Sequence, residues 1–408
     1  MNNEDCCCES DIPAWLDNEF LENALKFGEE NPGIRVTWSE VKPATIAGDN
    51  YGSDMYRAKV KIQEEEKSII IKASKPSSKG EMANMLTKSN VFEQEINTFT
   101  TVLPAVEQLL KKIYKENFSP IAAKYLYSSA DKEKIAIVLE DLKVQGFKLA
   151  ERDLGLDLKH CLLVMRKIAL YHATSIVLFN ENPETFKPFM ANFFSSGEIE
   201  SLRPFFCSVL KGCAENVEIF PDKKNRIAEK LNKMSDKTLD EWVCALQRDD
   251  RGLNVLCHGD LWANNMMFRY SEDTDEVEEV RFVDFQLGLW TSPAIDLQYF
   301  LNSSASPELL EHPEVLIQEY YDYFCKTLCL LGHKHLQPTL KQINEELEKK
   351  GLFGALSAIS VRTVSLSDRS NITDLNEVIS QKRTMHLTEA YKDSMKKLLP
   401  LYEERGWL

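Results

Sequence analysis

The sequence predicts an α+β protein of two lobes, a small β-rich N-terminal lobe and a larger α-rich C-terminal lobe. Between Ile34 and Ala73, apolar and polar residues alternate in short runs separated by turns, as in an antiparallel meander. Beyond Asp141, long amphipathic segments dominate. A chain of 408 residues is also too long for one ordinary core. We therefore expect an N-lobe at residues 20–141 and a C-lobe at residues 142–408.

The small lobe is built from strands and one helical segment. The runs "IRVTWSEVKPATIAG", "DMYRAKVKIQ" and "SIIIKAS" predict three strands. In the next segment, Phe92, Ile96, Phe99 and Leu103 recur at helical spacing, which predicts a helix. The stretch "AAKYLYSSADKEKIAIVLEDL" then reads as two strands around a polar turn, which complete the sheet.

The second half of the chain is predicted to be mainly helical. The segments "LKHCLLVMRKIALYHATSIVL", "NRIAEKLNKMSDKTLDEWVCALQ" and "HPEVLIQEYYDYFCKTLCLL" have helical periodicity. The exception lies between His258 and Asp284, where two short apolar runs flank the polar turn "SEDTDEVEE". That pattern predicts a hairpin of two strands inside the helical lobe.

Residues 1–19 are predicted to form a flexible tail. The tail contains three consecutive cysteines, Cys6, Cys7 and Cys8, which could bind a metal or carry a lipid. No matching His or Cys pair lies near them in the sequence, so a disordered tail is the preferred interpretation. Most of the other cysteines lie singly in apolar segments and are expected to be buried thiols.

Composition excludes several classes of function. A formal net charge of -15 without a basic patch argues against binding to nucleic acid or to an anionic membrane. The N-terminus lacks the features of a signal peptide, and no apolar run approaches the roughly 20 residues of a membrane span. We therefore expect a cytoplasmic protein with no obligate protein partner.

The stretch "CHGDLWANNMMF" and the later "VRFVDFQLGLW" carry polar residues inside apolar runs. Phosphoryl transfer needs a carboxylate to accept the proton of an attacking hydroxyl and oxygen ligands for magnesium, and Asp260, Asn265 and Asp284 supply these groups. A lone "HGD" is more often a capped turn, with the second aspartate in a salt bridge. The apolar flanks of both segments favour function, because buried carboxylates need a metal or cationic partner.

The small lobe provides residues suited to binding phosphate. The turn "AGDNYGSDMYRAKV" places Gly48 and Gly52 where backbone N–H groups could approach a phosphate, although two glycines in a hairpin are more often only a turn. Lys72 lies inside a β-branched run and must find a partner or reach outward. The expected partner is Glu95 on the following helix, the arrangement found in kinase nucleotide clefts.

Taken in order, "GDNYGS", Lys72, Glu95, "IVLEDL", "HGDLWANN", "VDFQ" and "SPAIDLQYF" resemble the ecdysteroid kinase-like family, also called CHK kinase-like, of insects and other invertebrates. The resemblance spans about Phe20 to Trp407. It implies a bilobal protein-kinase-like fold, shared with choline and aminoglycoside kinases. It also implies ATP as phosphoryl donor and Mg²⁺ as cofactor.

The resemblance assigns a role to each matching residue. Asp260 matches the catalytic base, Asn265 and Asp284 match the magnesium ligands, and Lys72 with Glu95 matches the ion pair that orients the phosphates. The loop over the ATP phosphates corresponds to Gly48, Asp49, Asn50, Tyr51, Gly52 and Ser53. The hinge that binds adenine through its backbone corresponds to Glu140, Asp141 and Leu142. Structural support of the catalytic loop is implied for His258 and Asp296.

Two departures from protein kinases bear on regulation. Gln286 stands where those enzymes have the glycine of D-F-G, and Gly259 stands where they have an arginine. The segment between Asp284 and Asp296 is too short for a phosphorylated activation loop. Protein substrates and control by loop phosphorylation are therefore not expected.

The acceptor is expected to be a small molecule with a hydroxyl group. The resemblance implies an ecdysteroid, or a hydrophobic xenobiotic or its glycoside detoxified by phosphorylation, with the segment "SPAIDLQYFLNSS" and with Trp262, Trp290 and Phe353 as candidate walls of its site. The same aromatic residues could equally belong to the core of a helical lobe. The alternatives are a choline, ethanolamine or aminoglycoside-type kinase, and a nucleotide-binding protein without catalysis.

Overall fold

The computed structural model describes residues 12–44, 53–74, 90–131, 134–151, 155–190, 197–216, 224–366 and 387–408. The strands within these residues are β1 Val36–Pro43, β2 Ser53–Ile62, β3 Glu65–Ser74, β4 Tyr125–Asp131, β5 Lys134–Glu140, β6 Phe147–Lys148, β7 Val255–Cys257, β8 Met266–Tyr270, β9 Val277–Phe282 and β10 Leu289–Thr291. The α-helices there are α1 Asn18–Gly28, α2 Val91–Asn97, α3 Leu103–Tyr114, α4 Leu158–Glu181, α5 Arg203–Asn216, α6 Lys224–Met234, α7 Thr238–Leu246, α8 Ala294–Ser304, α9 Glu314–Leu330, α10 Leu340–Lys349, α11 Gly351–Ser365 and α12 Glu389–Glu404.

The N-lobe sheet has the strand order β1-β2-β3-β5-β4, and every neighbouring pair is antiparallel. Alternate side chains point to opposite faces of a strand. On one face, Ile69, Ile71 and Val138 join a small core with α1. On the other face, Ile137 joins the large core, which continues into the C-lobe. Lys72 pairs directly with Ile137 across the ladder, so it lies on the face toward the cleft between the lobes.

Helix α1 precedes the meander and was not predicted from the sequence. The Asp17 side chain caps it by accepting a hydrogen bond from the Phe20 main-chain nitrogen. Leu21 and Leu25 are buried against the sheet. The approach is close, because a Cβ added at Gly28 would lie 2.7 Å from the Leu126 backbone. The helix therefore covers the sheet face that points away from the cleft.

The helix predicted after the third strand is present as α2 and α3, joined by a π-helical turn at Thr98–Val102. Val91 and Phe92 anchor α2 in the large core, and Glu95 is buried on the same helix. This arrangement presents the Glu95 carboxylate to Lys72 on strand β3.

The C-lobe is helical around two small sheets. The predicted polar hairpin is present as β8 and β9, with β6 pairing to the outer side of β8. Strands β7 and β10 form a second, two-stranded sheet. Together these two sheets hold the segments on either side of the "HGD" and "DFQ" stretches.

Helix α4 is the central helix of this lobe. By length and composition it could cross a membrane, which contradicts the expectation that no apolar run approaches that length. In the structure, 67% of its most apolar window is buried inside the protein, and it packs against α9. A core helix buried on most sides is apolar for the same reason as a membrane span, so composition alone does not distinguish them.

The lobes meet along a short segment before β4. The main-chain nitrogen of Phe282 donates to the Ile121 carbonyl at 2.9 Å, beside a parallel bridge between Ala122 and Phe282. The buried Lys167 side chain on α4 donates to the carbonyls of Ser119 and Pro120. This segment of the N-lobe is thus fixed to the strand that leads to Asp284.

The predicted α+β, protein-kinase-like fold is confirmed. The structure has the two lobes, a strand lysine that faces a helix glutamate, and the hairpin in the helical lobe.

A second connection between the lobes lies just after β5. Arg57 on β2 donates to Asp141 at 2.6 Å, and the Ser68 hydroxyl donates to the same oxygen at 2.7 Å. Asp141 also caps the following turn by accepting from the Lys143 main-chain nitrogen. Burial opposes ionisation of Asp141, but these hydrogen bonds outweigh it and hold the pKa of its carboxyl below the ordinary value.

We predict that Asp141→Asn lowers the free energy of unfolding by about 1–2 kcal/mol at pH 7, because it leaves Arg57 without its charge partner. Since the pKa is depressed in the folded state, the stabilisation is present above the unfolded pKa of about 4. It is lost as the pH falls from there through the lower pKa of the folded state. Urea unfolding at several pH values measures this difference.

The matched control is Asp240→Asn, which breaks an Arg–Asp pair whose carboxylate is exposed. Water screens that pair, so little change is expected. A loss for Asp141→Asn that is no larger than the control's, or that grows in acid, would contradict the prediction.

Candidate active site

The buried carboxylate of Asp296, on α8, holds the start of the "HGD" segment. Its Oδ2 accepts from the main-chain nitrogen of His258 at 2.6 Å, and its Oδ1 accepts from that of Gly259 at 2.9 Å. The imidazole Nε2 of His172, on α4, lies 3.0 Å from Oδ2. Two backbone donors and one side chain therefore converge on one carboxylate that has no exposed surface.

The His258 side chain connects the two predicted motifs. Its Nε2 lies 3.1 Å from the carbonyl oxygen of Val283, and its Nδ1 accepts from the main-chain nitrogen of Asp260 at 3.3 Å. Burial lowers the pKa of His258, which favours the neutral ring with its proton on Nε2. The ring also packs against Phe285, at 4.6 Å between centroids. His258 thus fixes the Asp260 segment relative to the Asp284 segment.

Gly259 meets two separate requirements at this position. Its φ is +83°, a conformation that side chains with a Cβ rarely adopt. A Cβ added there would also lie 1.9 Å from the carbonyl oxygen of Leu287. The absence of a side chain therefore allows the "HGD" and "DFQ" segments to approach each other closely.

Asp260 follows at the floor of the cleft. Asn265 donates from Nδ2 to its Oδ2 at 2.9 Å, and Tyr299 donates from its hydroxyl to Oδ1 at 2.7 Å. Burial and the nearby negative charge of Asp284 raise the pKa of Asp260 to about 7, and the two hydrogen bonds partly oppose that rise. The carboxylate is therefore held by side chains from two different elements.

Lys72 and Glu95 meet as the sequence predicts. The Lys72 ammonium lies 2.6 Å from Glu95 Oε2 and 2.7 Å from Asp284 Oδ1. Burial alone would lower the pKa of Lys72, but the two carboxylates outweigh it and raise the pKa. The other Glu95 oxygen accepts from the main-chain nitrogen of Phe285 at 3.2 Å. One glutamate thus links the lysine on β3 to the "DFQ" segment.

Helix α2 makes one more contact with that segment, since the Gln94 side-chain amide donates to the carbonyl of Gly288. Asp284 has a φ of 68°, which is uncommon for a residue other than glycine. Strain of this kind often marks functional positions. The backbone at Asp284 turns its carboxylate toward Lys72 in the cleft.

The oxygen atoms of Asn265 and Asp284 suit a magnesium ion. The amide nitrogen of Asn265 is used twice on Asp260, on its carboxylate and on its main-chain carbonyl, which leaves the Asn265 Oδ1 for a cation. Asp284 adds a partly exposed carboxylate. Among the described residues, the buried amide oxygens of Asn264 and Gln286 also have no hydrogen-bond partner. Mg²⁺ prefers hard oxygen ligands of this kind, carboxylates above all.

Part of the predicted nucleotide site can be located. Residues Gly48 to Gly52 lie outside the described residues, as do Cys6, Cys7 and Cys8, while Ser53 is buried at the start of β2. In the hinge, the Glu140 carboxylate accepts from the Lys124 main-chain nitrogen and from the Gln145 amide. The side chain of Asp141 binds Arg57 and Ser68, and Leu142 is buried. The side chains of the predicted hinge thus make contacts within the protein, and an adenine base would be contacted by the backbone.

The three aromatic residues predicted as walls of the acceptor site have different surroundings. Trp290 stacks on Phe179 at 4.3 Å between centroids, inside the large core. Phe353 packs against Tyr299, whose hydroxyl reaches Asp260. Trp262 is partly buried in the catalytic segment itself. The core interpretation therefore suits Trp290 and Phe353, which are both buried in the large core, and Trp262 remains a candidate.

Sequence reasoning singled out neither His172 nor Tyr299, although Tyr299 lies in the segment "SPAIDLQYFLNSS" that was expected to line the acceptor site. Tyr299 lies three residues after Asp296 on α8, so both side chains face the catalytic segment. The spacing from Asp296 could therefore have indicated from the sequence that Tyr299 belongs to the site. His172 gave no such signal, because it lies in the middle of an apolar helix and its proximity to Asp296 depends on tertiary packing.

We predict that Gly259→Ala lowers the free energy of unfolding by about 3 kcal/mol or more and abolishes activity, because the new Cβ displaces the Leu287 backbone. Gly332→Ala is the control, since Gly332 has a φ of +84° and nothing within 4 Å of an added Cβ. This control is expected to lose only about 1 kcal/mol, the cost of the backbone conformation. Equal losses in thermal or urea unfolding would show that the close approach at Gly259 is unimportant.

Comparison of the chain with known proteins adds three findings. The family model described as "Ecdysteroid kinase-like family" matches residues 47–333, which include Lys72, Glu95, Asp260 and Asp284. Among curated proteins there was no significant match. Two solved structures align along most of their length, a GDP complex of a mutant of aminoglycoside 2'-phosphotransferase-IIIa and a GDP complex of the wild-type enzyme.

The mutant structure shares 11% identity, covers 96% of this chain and 97% of its own, and has a TM-score of 0.35. The wild-type structure shares 11% identity, covers 90% and 98%, and has a TM-score of 0.33. Similarity at this level carries no inference about ligands. The family match, which extends over well more than half of the chain, shows that this protein belongs to the ecdysteroid kinase-like family.

Proposed function

We propose that the protein is an ATP- and Mg²⁺-dependent small-molecule kinase that phosphorylates a hydroxyl group of an ecdysteroid or of another hydrophobic alcohol or xenobiotic. The observation that carries this proposal is the convergence of Lys72, Glu95 and Asp284 in one cleft, joined through His258 to Asp260. A protein that only bound nucleotide would have no need of a partly buried carboxylate held ready for an acceptor. Membership of a kinase-like family supports the same reaction class.

In the proposed reaction, Asp260 accepts a hydrogen bond from the acceptor hydroxyl and orients its oxygen toward the γ-phosphorus of ATP. A bond forms between that oxygen and the γ-phosphorus, and the bond from the γ-phosphorus to the β,γ-bridging oxygen breaks. ADP leaves with the bonding electron pair, and the hydroxyl proton passes to Asp260. The products are the phosphorylated alcohol and ADP.

Lys72 would bind the phosphates of ATP. Its ammonium is already positioned by two carboxylates, so little ordering is needed when the nucleotide binds. Asn265 and Asp284 would hold magnesium, which neutralises phosphate charge when bound. The contact between Glu95 and the Phe285 nitrogen holds Lys72 and Asp284 in fixed positions relative to each other.

The surroundings of Asp260 support an apolar acceptor. Tyr299 reaches Asp260, and behind it Phe353 packs on both Tyr299 and Trp242. A continuous aromatic cluster therefore begins at the residue that would receive the hydroxyl. Tyr299, Phe353 and Trp242 are buried, so this cluster would form an apolar backing of the acceptor site, which suits a ring system bearing a hydroxyl group better than a strongly hydrated polyol.

We predict that Asp260→Asn lowers kcat by at least about 100-fold, because an amide cannot accept the proton. ADP release should be measured with Mg²⁺, ATP and a panel of ecdysteroids and phenolic glycosides, and ATP binding should be retained. Asp322→Asn, on the exposed side of α9, is the matched control and should keep wild-type activity.

Acceptor-dependent ADP formation by the Asp260→Asn variant at the wild-type rate would contradict the role of Asp260. If the wild-type protein bound ATP but no acceptor in the panel increased turnover, the kinase proposal would fail for this substrate class. Stimulation by choline or an aminoglycoside alone would favour the alternative acceptors.

We also predict that Lys72→Met lowers kcat/KM for ATP by roughly 100-fold, because it removes the cation that orients the phosphates. The substitution leaves the buried Glu95 carboxylate and the partly exposed Asp284 carboxylate without their cation, so it should also cost about 3 kcal/mol of stability. Lys59→Met, at an exposed position on the neighbouring strand β2, is the control. Steady-state kinetics below the unfolding temperature separate the two effects, and an unchanged kcat/KM in folded Lys72→Met would refute the assignment.

A further inference from the structure

Helix α8 contacts the catalytic segment at three points along one side. Asp296 binds the main-chain nitrogens of His258 and Gly259, Tyr299 binds the side chain of Asp260, and the Ser304 hydroxyl accepts from the Ala263 nitrogen. All eleven residues of α8 are buried. The helix is thus a rigid support, and of these three contacts the one from Tyr299 reaches the side chain of the proposed base.

The two hydrogen bonds on the Asp260 carboxylate have different origins. Asn265 belongs to the same loop, and it also binds the Asp260 main-chain carbonyl. It therefore fixes the side chain relative to its own backbone. Tyr299 belongs to a separate helix, so it fixes the carboxylate relative to the helical lobe. A carboxylate has about four lone-pair positions, and two donors leave others for an acceptor hydroxyl.

Tyr299 is itself held in place. Its ring stacks on Phe353, with 6.2 Å between centroids, and meets the edge of Trp242 at the same distance. Burial raises the pKa of Tyr299, so it remains a phenol that donates its proton in the hydrogen bond. A donor fixed by aromatic packing loses little conformational entropy when it orients its partner.

We propose that Tyr299 is a positioning residue for phosphoryl transfer, whose hydroxyl holds Oδ1 of Asp260 so that the free lone pairs of the carboxylate face the acceptor hydroxyl. This inference rests on the proposed function. It assigns Tyr299 to the reaction through Asp260, without contact to ATP. Because the Tyr299 ring packs on Phe353 and Trp242, the same side chain joins the proposed base to this buried aromatic cluster.

The first test compares Tyr299→Phe with Tyr402→Phe. The phenylalanine keeps the packing and removes one hydroxyl, so kcat should fall about 10- to 100-fold while the KM for ATP changes less than about twofold. Tyr402 is also fully buried, and its hydroxyl donates to Asn302 on the same helix as Tyr299 at 2.8 Å. That hydrogen bond leads away from the catalytic segment, so Tyr402→Phe should leave kcat within about twofold of wild type.

The second test places Tyr299→Phe in the Asp260→Asn background. If Tyr299 acts through Asp260, the double variant should be no more than about threefold slower than Asp260→Asn alone. A role limited to general stability would instead multiply the two losses. Multiplied losses, or an equal fall in kcat for the Tyr402→Phe control, would overturn the proposal.

A crystal structure of Tyr299→Phe gives a readout that does not depend on turnover. The Asp260 carboxylate should rotate away from its wild-type position while the backbone at Gly259 stays in place. An unmoved carboxylate would overturn the positioning role even if activity fell. If the wild-type protein showed no turnover with any acceptor, the proposed function would fail, and this structural result would still decide whether Tyr299 positions Asp260.

Discussion

The geometry of the site depends on the buried carboxylate of Asp296. It accepts two main-chain N–H groups from consecutive residues, His258 and Gly259, and a third contact from His172. Peptide nitrogens at such a sharp turn cannot bond to regular secondary structure, and burying them unpaired would be costly. One side chain thus stabilises a backbone conformation that only glycine adopts readily, and Asp260 follows directly after it. Helix α8 supplies this carboxylate, so the packing of the helical lobe determines where the proposed base lies.

A second network joins the lobes across the cleft. Lys72 belongs to the N-lobe sheet, Asp284 to the C-lobe, and Glu95 contacts the lysine and the Phe285 backbone together. Each of these groups would be costly to bury alone, and each is compensated by the others. Electrostatic compensation and the geometry proposed for phosphoryl transfer therefore require the same arrangement. The proposed magnesium ligands fit into it because the Asn265 amide nitrogen is already used by Asp260.

Local sequence pattern was sufficient to predict the strands of the meander, the Lys72–Glu95 pair and the polar hairpin, because each depends on periodicity or on residue types that require a partner. It was insufficient where a property depends on distant packing. Helix α1 has an ordinary composition, and its place on the sheet depends on the close approach of Gly28 to Leu126. Helix α4 has the composition of a membrane span because it is surrounded by protein. His172 lies within the same apolar helix, and its contact with Asp296 depends on tertiary packing.

The bond between Phe282 and Ile121 fixes the two lobes at a point only two residues before Asp284. If the lobes rotated relative to each other, the rotation axis would therefore lie near this hydrogen bond. Atoms close to an axis move little, so the Asp284 carboxylate would keep its place while the far edge of the N-lobe sheet travelled much further. The opening between the lobes would then change in width while Asp284 kept its position.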